Sequence, residues 1–267
     1  MNDSALARFG AEYARHRAAE GRGYSGNELF SLPYLREGPH AQQWRVRARS
    51  YEAFVRHVLR PLARRLERPL TVLDLGAGNG WLSHRVALEG HRAIALDIRD
   101  DAVDGLGAAD LFVRRFPDRI ERLAASFDSI PLASGSVDVA VFNASIHYAT
   151  DLNVTVGSAA RVVRPGGRLV ILDSPFYRRD RDGRTMVAEK RERASELFGD
   201  RAEALLALPF IEYLTRARLK AASAGMGLSW QRRRVLYPLW YELRPLRAAL
   251  TGGRRPSRFD LWVGVRP

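Results

Sequence analysis

The chain has 267 residues, 46% of them hydrophobic, with 43 basic against 30 acidic side chains and a formal net charge of +13. That is enough material for one large domain with its own core, or for a domain plus a cap. No run reaches the roughly 18 apolar residues that span a bilayer, and the absence of cysteine rules out a disulfide framework or a thiolate metal site.

The six histidines, at 16, 40, 57, 84, 91 and 147, show no metal-ligand spacing, so no metal is expected. Met1-Asn2-Asp3-Ser4 lacks a basic-then-apolar leader pattern, which points to the cytoplasm. Only Lys190 and Lys220 are lysines; arginine supplies the rest of the basic charge, spread along the chain with clusters at Arg178-Arg179-Asp180-Arg181 and Arg232-Arg233-Arg234. A basic surface attracts anions, nucleic acid or acidic membranes. Solvated surface accounts for the clusters as well, and no aromatic-interleaved motif for RNA bases is present.

In chain order, residues 1 to about 24 mix Ala, Arg and Glu at helical spacing, and Tyr24 to Pro39 reads as loop. From Gln42 to Leu66 the spacing of Trp44, Val46, Tyr51, Phe54, Val55, Val58, Leu59 and Leu62 predicts an amphipathic helix, kinked or divided at Pro61. Strands and helices then alternate: strand at Thr71–Leu75, helix at Trp81–Leu88, strand at Arg92–Ile98, helix at Ala102–Phe116, strand at Ile120–Ser126, strand at Val137–Phe142, helix at Asp151–Val163, strand at Arg168–Leu172. Such alternation specifies a doubly wound, mostly parallel α/β sheet with helices on both faces. Met186–Phe198 and Arg201–Ala224 read as inserted helices, and Trp230–Tyr237 and Phe259–Val265 as closing antiparallel strands. The expected organisation is an N-terminal helical cap segment over 1–66 and a main domain over 67–267, with a helical insertion at about 180–227.

The richest stretch is Asp74-Leu75-Gly76-Ala77-Gly78-Asn79-Gly80-Trp81, a buried-strand pattern running into three glycines. Glycine removes the Cβ, so a ligand can lie against bare backbone. Such turns sit at the carboxyl edge of doubly wound sheets. The dinucleotide fingerprint wants a glycine three residues after the second, and Trp81 stands there instead. The acid before the turn would repel a pyrophosphate and suits a ligand carrying an ammonium group. Asp97, about 20 residues on, is placed to accept from ribose hydroxyls; a helix cap is the alternative, a task that Asp100 or Asp101 also suits.

These residues, together with the turn Arg164-Pro165-Gly166-Gly167-Arg168 before a strand, resemble a class I S-adenosylmethionine-dependent methyltransferase over about residues 68–175. The resemblance implies a Rossmann-like fold and S-adenosylmethionine as cofactor. It places the methionine end of the cofactor at Asp74 and the backbone of Gly76 and Gly78, with Ala77 and Asn79 also at the cofactor, close helix packing at Gly80, the ribose at Asp97 and the adenine along Ile98. The adenine edge falls at Ala125-Ser126-Phe127-Asp128, where Ser126 replaces the acid usual in relatives. Phe127 either stacks on the adenine or joins the core. Asn143-Ala144-Ser145-Ile146-His147-Tyr148 resembles the segment that faces the methyl, with Asn143 at the cofactor, His147 as general base or structural hydrogen-bonder, and Tyr148 lining an acceptor pocket or packing in the core. Asp173 is a further base candidate. Asn143 lacks the Pro-Pro-aromatic sequel of amino methyltransferases that act on DNA bases or glutamine. Three functions fit: methylation of a small molecule, with an anionic acceptor allowed by the charge; methylation of RNA or protein; or a cofactor-binding module without catalysis.

Overall fold

The computed structural model describes residues 3–267 apart from 20, 22, 25 and 200. Seven strands form one sheet: β1 (Thr71–Leu75), β2 (Arg92–Asp97), β3 (Ile120–Ala124), β4 (Val137–Asn143), β5 (Val163–Leu172), β6 (Ser229–Arg233) and β7 (Leu261–Val265). Their order is β3-β2-β1-β4-β5-β7-β6. The first five run parallel, and β7 runs antiparallel to both β5 and β6. This is the expected doubly wound sheet, closed by an antiparallel strand.

The central strands are buried on both sides, so alternate residues feed two cores. Val72, Val139, Val141 and Val170 pack on one face, with Trp44, Tyr51, Phe54 and Leu59 from the N-terminal segment. Leu73, Ala140, Phe142 and Ile171 pack on the other, with Val156 and Ala159 of the helix Leu152–Val162. That helix begins where sequence chemistry says it should: the Asp151 side chain accepts from the amides of Asn153 and Val154. Asp138, at the start of β4, accepts from Arg68, Arg164 and the Thr71 amide, pinning β1, β4 and β5 to one another.

Several elements depart from the sequence expectation. The Gln42–Leu66 helix is three pieces, Ala41–Phe54, a wide π turn Val55–Leu59, and Arg60–Leu66. Pro61 lacks an N–H and crowds the preceding turn; the Arg60 amide reaches back to the Val55 carbonyl, and that wider turn makes room. The loop expected over 24–39 holds a short helix, Gly26–Ser31. The helix expected over 102–116 is a 3₁₀ turn Leu106–Ala109 followed by Asp110–Arg115. Asp101 takes the Val103 and Asp104 amides into its side chain instead. The helix expected over 201–224 is broken into Arg201–Leu206 and Arg216–Ala222, because Pro209 biases its predecessor away from helix. Between β6 and β7, the helices Leu239–Glu242 and Arg244–Leu250 were not anticipated.

Candidate active site

The strand order reverses between β1 and β4, and in such sheets the crevice at the carboxyl ends is where ligands bind. A cavity of ≈ 380 Å³ lies there. Its floor is the turn after β1. Gly76, Gly78 and Gly80 adopt φ of 72°, 54° and 74°, a region side chains avoid. A Cβ at Gly76 would stand 2.5 Å from the Ser145 Cβ. Three of the turn's amides are already committed: Gly76 and Ala77 donate to the Leu96 carbonyl at 2.8 and 2.9 Å, and Gly78 donates to Asp97 Oδ2 at 2.8 Å. Asn79 Oδ1 accepts from the Trp81 amide at 3.3 Å, opening the helix Trp81–Leu88.

Asp97 Oδ1 accepts from the Arg99 amide at 2.9 Å, so each carboxylate oxygen holds one N–H and keeps acceptor capacity. Burial pushes its pKa up, while the Arg99 and Gly78 amides pull the other way. Asp101, not Asp97, closes the turn that follows. Asp74 is only 1% exposed and is not among the cavity-lining residues. Its Oδ2 accepts from Ser83 Oγ at 2.9 Å, and Oδ1 has no partner. Burial first, then the Asp97 charge, raise its pKa to about 7 against the Ser83 hydrogen bonds.

At the far end, Asp173 follows β5 with φ 47°. Ser50 Oγ donates to Asp173 Oδ1, Ser50 Oγ lies 2.9 Å from the Tyr237 hydroxyl, and that hydroxyl donates to the Phe259 carbonyl. Asp173 Oδ2 has no partner, and burial raises the pKa to about 6 against the pull of Arg47 and Ser50. His147 lines the same end; its Nδ1 has no partner, and burial, with Lys190 and Arg47 adding, pushes its pKa down to about 3. Overhead, the helix Asp3–Ala19 contributes Phe9 and Tyr13. Phe9 meets Phe210 edge-on at 4.9 Å, and the Tyr13 and Tyr148 hydroxyls lie 3.1 Å apart.

Residues 73–171 match the family described as Methyltransferase domain. The chain is 28% identical over 106 residues to the malonyl-(acyl-carrier protein) O-methyltransferase of Hahella chejuensis, covering 38% of this chain and 36% of that one. It is 33% identical over 96 residues to the protein of the same name from Yersinia pestis, covering 36% and 33%. The matched stretch thus spans about a third of the length of these curated relatives. Among solved structures, geranyl diphosphate C-methyltransferase from Streptomyces coelicolor A3(2) superposes with a TM-score of 0.60 at 16% identity, covering 97% of both chains, which shows a shared fold. Residues 73–171 thus carry a methyltransferase domain of that family, on a fold shared with that structure.

The cavity fits S-adenosylmethionine, the cofactor that the sequence resemblance implies. The Gly76 cradle is a space that a Cβ would fill, Asp97 offers two acceptor oxygens for a diol, and the buried Asn143 Oδ1 on the cavity wall has no partner. Of the residues singled out in the sequence, Gly76, Ala77, Gly78, Asn79, Asp97, Ile98, Ser126, Phe127, Asn143, His147 and Tyr148 line this one cavity, as does Asp173. Asp74 and Gly80 are not among the lining residues. A Cβ at Gly80 would meet the Ala109 Cβ at 2.8 Å, so the glycine serves helix packing. Phe127 lines the cavity and also packs edge-on against Phe142 at 5.7 Å. Ser126 Oγ accepts from the Asp128 amide at 3.1 Å, while Asp128 itself takes the Thr155 hydroxyl. Sequence reasoning missed Arg47 and Ser50 of the helix Ala41–Phe54, and the roof residues Phe9, Tyr13 and Phe210. The signal for Ser50 was a small hydroxyl on an otherwise apolar helical face, between Trp44 and Phe54.

Proposed function

We propose that the chain is an enzyme that transfers a methyl group to a small-molecule acceptor bound beneath Phe9, Tyr13 and Phe210. The observation that carries this is one cavity running from the glycine turn and Asp97 to the buried carboxylate of Asp173. S-adenosylmethionine, when bound, supplies an electrophilic methyl on a sulfonium. The protein's part is to hold the acceptor in line, which supplies much of the rate of such a transfer, and to take its proton. Asp97 is assigned to the ribose hydroxyls, the Gly76–Gly78 backbone and Asn143 to the methionine end, and Ile98, Ser126 and Phe127 to the adenine.

Asp173 is assigned as general base in preference to His147. A catalytic pKa works best near the operating pH; Asp173 lies at about 6, whereas His147, at about 3, stays neutral and a weak base. The acceptor's proton passes to Asp173 Oδ2 as the acceptor atom takes the methyl, and Ser50 holds Oδ1. His147 and Tyr148 line the acceptor and orient it. Arg47, on the same wall, favours an acceptor carrying negative charge. The roofed cavity supports a small acceptor over an RNA strand or a protein segment, and the names of the relatives support it too. Calorimetry with S-adenosylhomocysteine tests the cofactor assignment: wild-type binding is expected, weakened at least about tenfold in Asp97→Ala, the loss of more than one hydrogen bond to a charged group. Equal affinity in that variant would sink it. Radiolabel transfer to an acceptor separates an enzyme from a binding module.

A further inference from the structure

Large hydrophobic side chains exposed to solvent are not scattered evenly over this surface. Of the 13 among the described residues, six fall within 15 positions: Leu236, Leu239, Trp240, Leu243, Leu246 and Leu250. Leu236, Leu239 and Leu250 are 74%, 72% and 79% exposed. Four of the six recur at 239, 243, 246 and 250, the spacing of one helical face. The helices Leu239–Glu242 and Arg244–Leu250 run on from each other, because the Leu243 amide donates to the Leu239 carbonyl and the Arg247 amide to the Leu243 carbonyl. A helix on a globular surface normally turns its apolar stripe inward. This one is inverted: Tyr241 is buried, and the Arg244 guanidinium lies on the inner side, 3.6 Å above the Tyr241 ring.

The segment that carries this face is rich in arginine. Between Trp230 and Arg258 there are eight arginines and a single carboxylate, Glu242. Glu242 is itself spent on Arg258 and Arg234, while Asp260 pairs with Arg232 and Arg258 and Glu189 with Arg254. Arg247, beside Leu246, and Arg255, just past the helix, are exposed and have no carboxylate partner among the described residues. An exposed apolar stripe of this kind marks an interaction surface. An exposed Leu/Trp face rimmed by arginine matches a bilayer interface, where apolar side chains enter the acyl boundary, the amphipathic Trp ring sits at headgroup level and the cations meet anionic lipid.

We propose that the face built from Leu236, Leu239, Trp240, Leu243, Leu246 and Leu250 docks this chain peripherally onto an anionic lipid bilayer. No helix among the described residues is long and apolar enough to cross one, so the contact is surface docking. The face also backs directly onto the cavity. Tyr241, on its inner side, accepts from the Phe259 amide at 3.1 Å, and Phe259 lines the cavity. The Tyr237 hydroxyl, from the same segment, reaches Ser50. Docking would thus bring the acceptor end of the cavity close to the lipid surface.

Co-sedimentation of the full chain with phosphatidylcholine vesicles, with and without phosphatidylglycerol, tests this without reference to catalysis. The expected result is binding at least about tenfold stronger to the phosphatidylglycerol vesicles, falling as salt rises. The double variant Leu239→Asp, Leu246→Asp is expected to abolish it, with melting temperature and circular dichroism unchanged because both side chains are exposed. Arg247→Gln with Arg255→Gln keeps the apolar face and is expected to weaken binding and flatten its salt dependence. Wild-type protein left in the supernatant, or undiminished binding by the double leucine variant, overturns the proposal. So does light scattering that shows a wild-type dimer which the leucine variant dissociates, since the face would then be covered by a second copy.

Discussion

Asp173 is a carboxylate held in a place where ionisation is costly. It sits at φ 47°, a strained position for a side-chain-bearing residue, with Ser50 on one oxygen and no partner on the other. Its pKa, raised by burial to about 6, gives the proposed base a visible titration. A raised pKa means that the folded protein holds the proton until the pH exceeds about 6, and only the deprotonated form accepts one from the acceptor. The rate constant kcat/KM is therefore expected to rise about tenfold per pH unit below 6 and to level off above it. Asp173→Asn is expected to lower the rate by about 10²–10⁴ and to remove that limb, as read from pH–rate profiles. His147→Gln is expected to keep the limb, because His147 titrates near pH 3. Arg47, from the helix Ala41–Phe54, pulls the Asp173 pKa down, and Lys190, from the helix Asp180–Phe198, lowers that of His147 together with Arg47; Asp97, Arg99, Asp104 and Asp128 line the cofactor end of the same cavity. A limb lost in His147→Gln and kept in Asp173→Asn would reverse the assignment. The acid at the end of a strand was legible in the sequence. Its partner Ser50, and the Tyr237 hydroxyl that meets Ser50 in turn, were not, since they lie 123 and 64 positions away along the chain and only the fold brings them together.

Elements whose residues agree with one another at every level were legible from the chain alone. The strands β1, β2 and β4 and the helix Trp81–Leu88 fall where the pattern puts them, because each is a short apolar run bounded by glycine or aspartate. The misread elements share a different cause: a local hydrogen bond or a proline outbids a helical pattern. Asp101 captures two amides in what otherwise reads as a helix over 102–116, and Pro209 splits the one over 201–224. The outward-facing helix after Pro238 escaped notice for the opposite reason, since its apolar stripe looks like that of a core element and only burial tells the two apart. At the glycine turn the element and the site make one demand. Gly80→Ala would place a Cβ 2.8 Å from the Ala109 Cβ at φ 74°. The helix Trp81–Leu88 would have to back away from the Leu106–Ala109 turn, and Asn79 and Trp81 would move with it. The expected outcome in urea unfolding is a loss of more than about 1 kcal/mol, with weaker binding of S-adenosylhomocysteine. A variant as stable as the wild type would show that the close approach matters little.

For the whole molecule, the question is whether the N-terminal segment is a cap set on a finished domain or part of one folding unit. The sequence suggests a boundary near residue 66, because the strand–helix alternation begins after it. The packing argues for a single unit. Trp44, Tyr51, Phe54 and Leu59 share a core with Val72, Val141 and Leu261 of the sheet. The Arg85 guanidinium reaches across to the Phe30 and Ser31 carbonyls at 3.0 and 2.9 Å, and Arg65 donates to the Gly166 carbonyl at 2.7 Å. Removing the segment would expose the face of the sheet that carries β1 and β4, so its unfolding and theirs are coupled through buried apolar area. Calorimetry is therefore expected to show one cooperative transition, whose calorimetric and van't Hoff enthalpies agree. S-adenosylhomocysteine at a hundred times its Kd should add about 2.7 kcal/mol and move that single peak upward by several degrees. Two peaks, of which the ligand moves only one, would show the segment folding apart from the sheet. In that case the roof over the acceptor would be a separate body free to open, and Ser50 would lose its hold on Asp173 each time it did.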